Sequence, residues 1–224
     1  MGTVAILPVK RFDTAKQRLR ARLGEPERRE LAEAMVADVL AALARTSALA
    51  EVIVVTAEPR AVALAAAAGA QVVPDQSERG QSEAAQQGLR RARDDGHDEA
   101  LLVPGDCPAV SPGELDDLLE RARSRDHPLV VIVPDRHGTG TNALFLRPPE
   151  AIEPAFGPGS YERHLERATR AGVAWEVARP PALLLDVDTA DDLETLRAAL
   201  RERDDLAPRT RDVLRGLAYA TGRP

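Results

Sequence analysis

Short β-branched runs alternate with long stretches of helical spacing along almost the whole chain, and that alternation restricts the fold more than any single motif. TVAILPV (3–9), EVIVVT (51–56), AQVV (70–73), EALLVPGD (99–106), LVVIVPD (129–135) and LLLDVD (183–188) read as strands. Several are apolar on both faces, as strands covered by helices on two sides must be. Between the first two, Leu31, Met35, Val39 and Leu43 repeat at i+4 along one helical face. Residues 58–68, 80–95, 111–125, 160–171 and 189–203 have the same character. Ser111-Pro112 with Glu114, and Thr189 with Asp192, have the spacing of helix caps with an acid three residues on. The pattern predicts an α/β fold, a mostly parallel sheet with helices on both faces. NALFL (142–146) reads as a strand of another kind, antiparallel or at an edge. No linker or internal repeat divides the 224 residues, so a single domain over 1–224 is expected. The tail from Asp204 to Pro224 is expected as a docked helix or a partly frayed one.

Composition removes several function classes. Aromatic residues make up 3% of the chain, too few for a stacking platform on single-stranded nucleic acid. A net charge of −6 argues against a general nucleic-acid or membrane surface, so a phosphate site must be a local basic cluster. Cys107 is the lone cysteine, which excludes a disulfide framework and a cysteine zinc site and points to a reducing cytoplasm. MGTVAILPVK lacks the basic start and long apolar run of a signal peptide, and no segment has the length of a membrane-spanning helix.

In open α/β sheets ligands bind beyond the carboxyl ends of the strands, so the residues just after each apolar run are the ones to weigh. After the first run, Lys10, Lys16, Arg18 and Arg20 cluster in an otherwise acidic chain. Such a cluster suits a triphosphate, or else is a solvated helix start; the segment is neither a Walker loop nor a G-x-G-x-x-G loop. Gly105-Asp106 ends one run, and Asp186 and Asp188 end another. Carboxylates from two strand ends can share a divalent cation that also grips phosphate oxygens, and Asp106 and Asp186 are read so. Asp188, next to the Thr189 helix start, is read as a cap.

Gly157, Gly159 and Ser160 precede a helix, where backbone amides and a hydroxyl form an anion site or an ordinary cap. Gly80, Gln81 and Ser82 precede another, and suit a nucleoside or a plain cap. PDRHGTGTNALF, residues 134–145, has more glycine and hydroxyl groups than a hairpin turn requires. His137 and His164 are read as surface or core histidines before any functional role, and Cys107 as a small packing residue.

Taken in order, PVK with AKQRL, GDCP, DRHGTGTNAL, FGPGSYERH and DVDTADDL resemble the 2-phospho-L-lactate/phosphoenolpyruvate guanylyltransferases of deazaflavin coenzyme (F-420) biosynthesis. The resemblance spans Val4 to Leu193. It implies a Rossmann-like three-layer nucleotidyltransferase fold, similar to that of nucleotide-diphospho-sugar transferases. It further implies two magnesium ions on Asp106 and Asp186, and an acceptor's phosphate and carboxylate held by Thr141, Gly157 and Ser160. Thr139 is the alternative to Thr141. Lys10, Lys16 and Arg18 then face the GTP phosphates. The glycine-rich G-x-G-x-R loop of better-known relatives is replaced here by PVKRFDTAK, which sets this branch apart from sugar-phosphate and molybdenum-cofactor enzymes.

On this resemblance the Gly138–Thr141 loop clasps a small acid phosphate with amides and hydroxyls, opposite the Gly157–Ser160 helix start. The implied reaction joins GMP from GTP to phosphoenolpyruvate, with 2-phospho-L-lactate and 3-phosphoglycerate as alternative acceptors. The alanine- and arginine-rich composition resembles the actinobacterial branch, which is similar to phosphoenolpyruvate users. The product then goes to the next transferase of the pathway, and a homo-oligomer is left open. A nucleotide-sugar glycosyltransferase and a non-catalytic nucleotide-binding protein are the rival readings.

Overall fold

The computed structural model describes residues 2–220. The strands are β1 (Thr3–Val9), β2 (Leu49–Thr56), β3 (Gln71–Pro74), β4 (Ala100–Leu102), β5 (Leu129–Pro134), β6 (Thr141–Arg147) and β7 (Ala174–Val177). They form one sheet of order β3-β2-β1-β4-β6-β5-β7. β1 pairs in parallel with β2 and β4, while β6 runs antiparallel to both β4 and β5. The strand order therefore reverses at β1, and a crevice opens between the carboxyl ends of β1 and β4.

Alternation along each strand builds the two faces. Ala5, Leu7 and Val9 point to one side with Val54, Leu101, Val131 and Phe145. On that side lie α1 (Glu25–Leu43), α2 (Pro59–Ala67) and α4 (Pro112–Arg123). Val4 and Ile6 point to the other side, against α3 (Gln81–Asp94) and α5 (Ser160–Ala171). Gly88 on α3 is a close approach, because a Cβ there would lie 2.3 Å from the Ile6 side chain. A third apolar cluster joins Leu19, Leu23, Leu31 and Met35 to Leu193, Leu196 and Leu200 of α6 (Ala190–Glu202) and Leu214 of α7 (Pro208–Ala220). It anchors the basic segment after β1, whose cations stand on buried leucines.

The expected strands, helices and antiparallel NALFL strand are present, with two exceptions. LLLDVD is not a strand: Pro181–Leu184 forms a 3₁₀ turn, and residues 185–188 after it lie outside the sheet without regular structure. Two successive prolines remove ladder donors at this point, and the leucines fill the core from the side. β7 was not foreseen, because its half-exposed sequence AWEV has no apolar run. The caps also divide. Thr189 and Asp192 form the expected capping box, but Ser111 makes no side-chain cap, and Glu114 instead accepts from the Ala182 N–H at 2.9 Å. The tail is the helix α7, with residues 221–224 of that reading outside the described residues.

Candidate active site

Three adjoining cavities line the carboxyl ends of the strands. One, of about 410 Å³, lies between Lys10, Asp75, Glu78, Arg79 and Gly80. The next, of about 220 Å³, is lined by Lys10, Phe12, Lys16, Gly105 and Asp106. The third, of about 290 Å³, is lined by Arg18, Asp135, Thr141, Asn142, Ser160 and Asp186, among others. Gln81 borders all three, and Asp106 and Asp188 border the second and third. The switch point therefore joins a long groove to a compact polar chamber across two carboxylates.

Lys16 stands at that junction. Its backbone is left-handed (φ 54°), and its ammonium donates to Asp106 at 3.1 Å and to Asp188 at 3.2 Å. Burial lowers its affinity for a proton, but the two carboxylates outweigh burial and its pKa is raised. Arg18 is exposed and lies 3.6 Å from the other oxygen of Asp188. Asp188 does not cap α6, contrary to expectation. The capping box of Thr189 and Asp192 already serves that helix, with Asp192 also accepting from the Asp188 N–H, which leaves the Asp188 carboxylate to the cations. The Val187 N–H donates to the Asp106 carbonyl at 3.1 Å, holding the Asp186 segment against the end of β4.

Asp186 lines the third cavity. Burial raises its pKa to about 6, Asn142 opposes that by donating Nδ2–H at 3.0 Å, and Asp106 and Asp188 reinforce it. Asn142 also donates to the Leu183 carbonyl, tying β6 to the 3₁₀ turn. The sequence reading missed Asn142; its signal is an amide at the site end of an otherwise apolar strand. Among the described residues no three His, Cys, Asp or Glu side chains converge as a ready-made metal cage. The oxygen donors of Asp106, Asp186 and Asp188 nevertheless suit magnesium, which binds through few carboxylates and keeps waters and phosphate oxygens as its other ligands. Asp106 and Asp188 already share Lys16, and Asp186 is shifted first by burial and only then by their charge.

The glycine-threonine loop does clasp an anion, but that anion is Asp135. The amides of Thr139 and Gly140 and the Thr139 hydroxyl donate to its carboxylate at 2.9, 2.8 and 3.1 Å. Burial opposes ionisation there, yet these bonds hold the Asp135 pKa down. Gly140 is needed for the approach, since a Cβ would lie 2.7 Å from the Asp135 carboxylate. The expected amide clasp of a ligand is therefore already spent within the loop. Thr139 is exposed and occupied, whereas Thr141 is buried and meets His164 at 2.9 Å.

At the start of α5 the amide reading is also corrected. Ser160 N–H donates to Gly157 O and Tyr161 N–H to Thr139 O, so two amides of the first turn are internally paired. The Ser160 hydroxyl is different: it is buried, lines the third cavity and has no hydrogen-bond partner among the described residues. Gly157 lines the same cavity with φ 105°. Gly80 and Gln81 line the groove; Ser82 borders none of the three cavities. Lys10 borders the groove, and Arg18 borders the chamber. His137 is exposed and accepts from Arg136. Cys107 is buried and packs in the core.

Residues 3–216 match the family model described as "Guanylyl transferase CofC like". The chain belongs to this family. It is 47% identical over 217 residues to a phosphoenolpyruvate guanylyltransferase of Conexibacter woesei, covering 97% of each chain. A phosphoenolpyruvate guanylyltransferase of Sphaerobacter thermophilus is 41% identical, with 88% of this chain and 93% of the relative covered. A 2-phospho-L-lactate guanylyltransferase of Methanothermobacter thermautotrophicus is 36% identical, with 86% and 83% covered. Among solved structures, a chain from Desulfovibrio desulfuricans G20 assigned as a nucleotide-diphospho-sugar transferase superimposes with a TM-score of 0.76. It is 21% identical over 96% of this chain and 95% of its own, a likeness of fold alone. The guanylyl transferase family is thus a family of nucleotidyltransferases on the expected α/β fold, and the chain is a nucleotidyltransferase.

Proposed function

We propose that this chain transfers GMP from GTP to phosphoenolpyruvate, releasing diphosphate and forming enolpyruvoyl-2-diphospho-5′-guanosine for coenzyme F-420 biosynthesis. The observation that carries the reading is the junction at Asp106 and Asp188, where two adjoining cavities of about 410 and 220 Å³, together offering space for a nucleotide, meet a chamber of about 290 Å³. The names of the relatives supply guanine and phosphoenolpyruvate. GTP occupies the groove, with its phosphates near Lys10 and Lys16. The acceptor occupies the chamber, where Thr141, Ser160 and Arg18 meet its phosphate and carboxylate.

A phosphate monoester has its second pKa near ~6, so the attacking oxygen is already an anion at neutral pH and needs no general base. That oxygen forms a bond to the α-phosphorus, and the bond from the α-phosphorus to the bridging oxygen breaks as diphosphate leaves. The obstacle is repulsion between two anions. Lys16, buried and charged, offsets it from below the junction, and Arg18 does so from the acceptor side. Two magnesium ions bound through Asp106, Asp186 and Asp188 would neutralise phosphate charge and align in-line displacement. The Asn142 amide holds the Asp186 carboxylate, and the bond from the Val187 N–H to the Asp106 carbonyl holds the two segments together.

A second acceptor, 2-phospho-L-lactate, is favoured by the relative that carries its name. The two acids differ by little more than a methyl group and planarity, worth only about 1–3 kcal/mol of discrimination. The reading sets the reaction in the cytoplasm; among the described residues no helix is long and apolar enough to cross a membrane. The test is product mass: purified chain, GTP and magnesium are offered phosphoenolpyruvate, 2-phospho-L-lactate and 3-phosphoglycerate separately. Preference for either of the last two would overturn the acceptor, and no guanylylated product from any would overturn the function.

A further inference from the structure

His164 lies on α5, fully buried, and lines none of the three cavities. Its ring is held at both nitrogens. The backbone N–H of Ala155 points at Nε2 from 2.8 Å, and the Thr141 hydroxyl lies 2.9 Å from Nδ1. A backbone N–H can only donate, so Nε2 must be the bare acceptor nitrogen. A neutral imidazole carries one ring proton, which is then on Nδ1 and is donated to Thr141 Oγ1. One lone pair of the Thr141 oxygen is thereby taken, and the hydroxyl's own proton turns away from the ring. Thr141 lines the chamber, so that proton is presented there.

We propose that His164 is a positioning residue that fixes the Thr141 hydroxyl as a hydrogen-bond donor into the acceptor chamber. The inference rests on the reading that the chamber takes an acid phosphate, and it adds how a hydroxyl donor is turned towards that anion in a chamber also lined by Arg18 and by the carboxylates of Asp106, Asp135, Asp186 and Asp188. With the other tautomer, Thr141 would donate backwards to the ring and present only lone pairs to a phosphate or carboxylate oxygen. The tautomer therefore decides whether Thr141 offers the ligand a donor or only lone pairs. The Phe156 ring packs edge-on against His164 at 5.4 Å and shields it. Burial, and then Arg167 and Arg163, push the His164 pKa down to about 4, so the ring stays neutral at physiological pH. The Ser160 hydroxyl, buried in the wall of the same chamber without a partner, is free to donate beside it.

Two amide substitutions separate positioning from mere packing. In His164→Gln the side-chain oxygen reaches the Nε2 position and still accepts from Ala155, but nothing replaces the donor to Thr141. In His164→Asn the amide nitrogen reaches the Nδ1 position and keeps that donor, while Ala155 loses its acceptor. Calorimetric titration with phosphoenolpyruvate in magnesium, without GTP, is expected to show Kd raised about tenfold or more by His164→Gln. His164→Asn should stay within about threefold of wild type. In a Thr141→Val background His164→Gln should add less than about twofold, because its route is gone. KM for GTP should stay within about twofold throughout. Equal losses in both amide variants, or losses that multiply with Thr141→Val, would overturn the proposal.

The ring is also read directly in the wild-type chain by long-range proton–nitrogen spectroscopy, with His164→Gln to assign it. A proton on Nδ1 is expected, and a proton on Nε2 would overturn the proposal even if the variants failed to fold. If phosphoenolpyruvate does not bind but inorganic phosphate does, with the same split between the two amides, the acceptor reading fails and the positioning role stands. Failure of the wild type to bind either anion overturns both.

Discussion

Asp188 and Asp106 share one lysine, and that single contact changes what each aspartate is expected to contribute. Asp106→Asn and Asp186→Asn should each lower kcat by at least about a hundredfold, since each removes charge at the reacting phosphates. Asp188→Asn should fall in the same range, although its place before a helix start suggested a milder effect. Circular dichroism establishes that the variants fold. A folded Asp188→Asn chain with near-normal kcat would return that residue to a structural role. The basic segment divides in a similar way. Lys16→Ala should chiefly impair GTP use, and Arg18→Ala should chiefly raise KM for the acceptor, because Arg18 lines the chamber. A rise confined to the GTP KM in Arg18→Ala would mean that its side chain reaches the groove instead. Thr139→Val should leave acceptor KM within about twofold, because its hydroxyl serves Asp135, at a cost to stability of about 1 kcal/mol. Thermal unfolding and acceptor titration check the two halves of that statement.

At the scale of elements, buried clusters decide where the site residues can stand. α7 is fastened to α1 by Asp38, whose carboxylate accepts from the Arg209 and Thr210 amides at 3.2 and 2.7 Å. Asp38→Ala strands those donors at a buried helix start and should cost about 2 kcal/mol in urea unfolding; a loss below about 0.5 kcal/mol would contradict the fastening role. Most of the frame was legible beforehand because its strands are apolar on both faces and its helices carry apolar residues at helical spacing. α1 departs from the single expected face, being buried nearly all round, with Leu31 and Met35 in one cluster and Val39 and Leu43 in another. AWEV was illegible for the opposite reason: an edge strand with exposed residues has neither pattern. LLLDVD was misread because a run of leucines reports burial, not conformation. For the site, position after a strand pointed to Lys10 and Asp106, whereas Asp186 was reached through the strand reading of LLLDVD that the 3₁₀ turn overturns. Position could not tell that the donors of Thr139 and Gly140 would be spent on Asp135, or that Asn142 and His164 would support Asp186 and Thr141. Those are contacts between distant segments, and residue types do not encode them.

At the scale of the whole molecule, the buried histidine couples stability to pH. The His164 pKa is about 4 in the folded chain, against an ordinary value near 6.5. Between those values the unfolded chain binds the extra proton, so the histidine's contribution falls as pH falls from 6.5 towards 4. At about 1.4 kcal/mol per pH unit, the loss approaches about 3 kcal/mol. Asp186, raised to about 6, works in the opposite direction over much of that range. The informative quantity is therefore the stability difference between wild type and His164→Gln in urea. It should shift by about 3 kcal/mol against the wild type between pH 7 and pH 4, and a pH-independent difference would contradict the buried neutral ring.

On the proposed function the groove and the chamber bring GTP and a small acid phosphate together across Asp106 and Asp188. Mass spectrometry of the product formed from GTP, magnesium and phosphoenolpyruvate tests it most directly. The expected result is enolpyruvoyl-2-diphospho-5′-guanosine and diphosphate in equal amounts, abolished in Asp106→Asn. GTP left intact beside phosphoenolpyruvate, 2-phospho-L-lactate and 3-phosphoglycerate alike would contradict it.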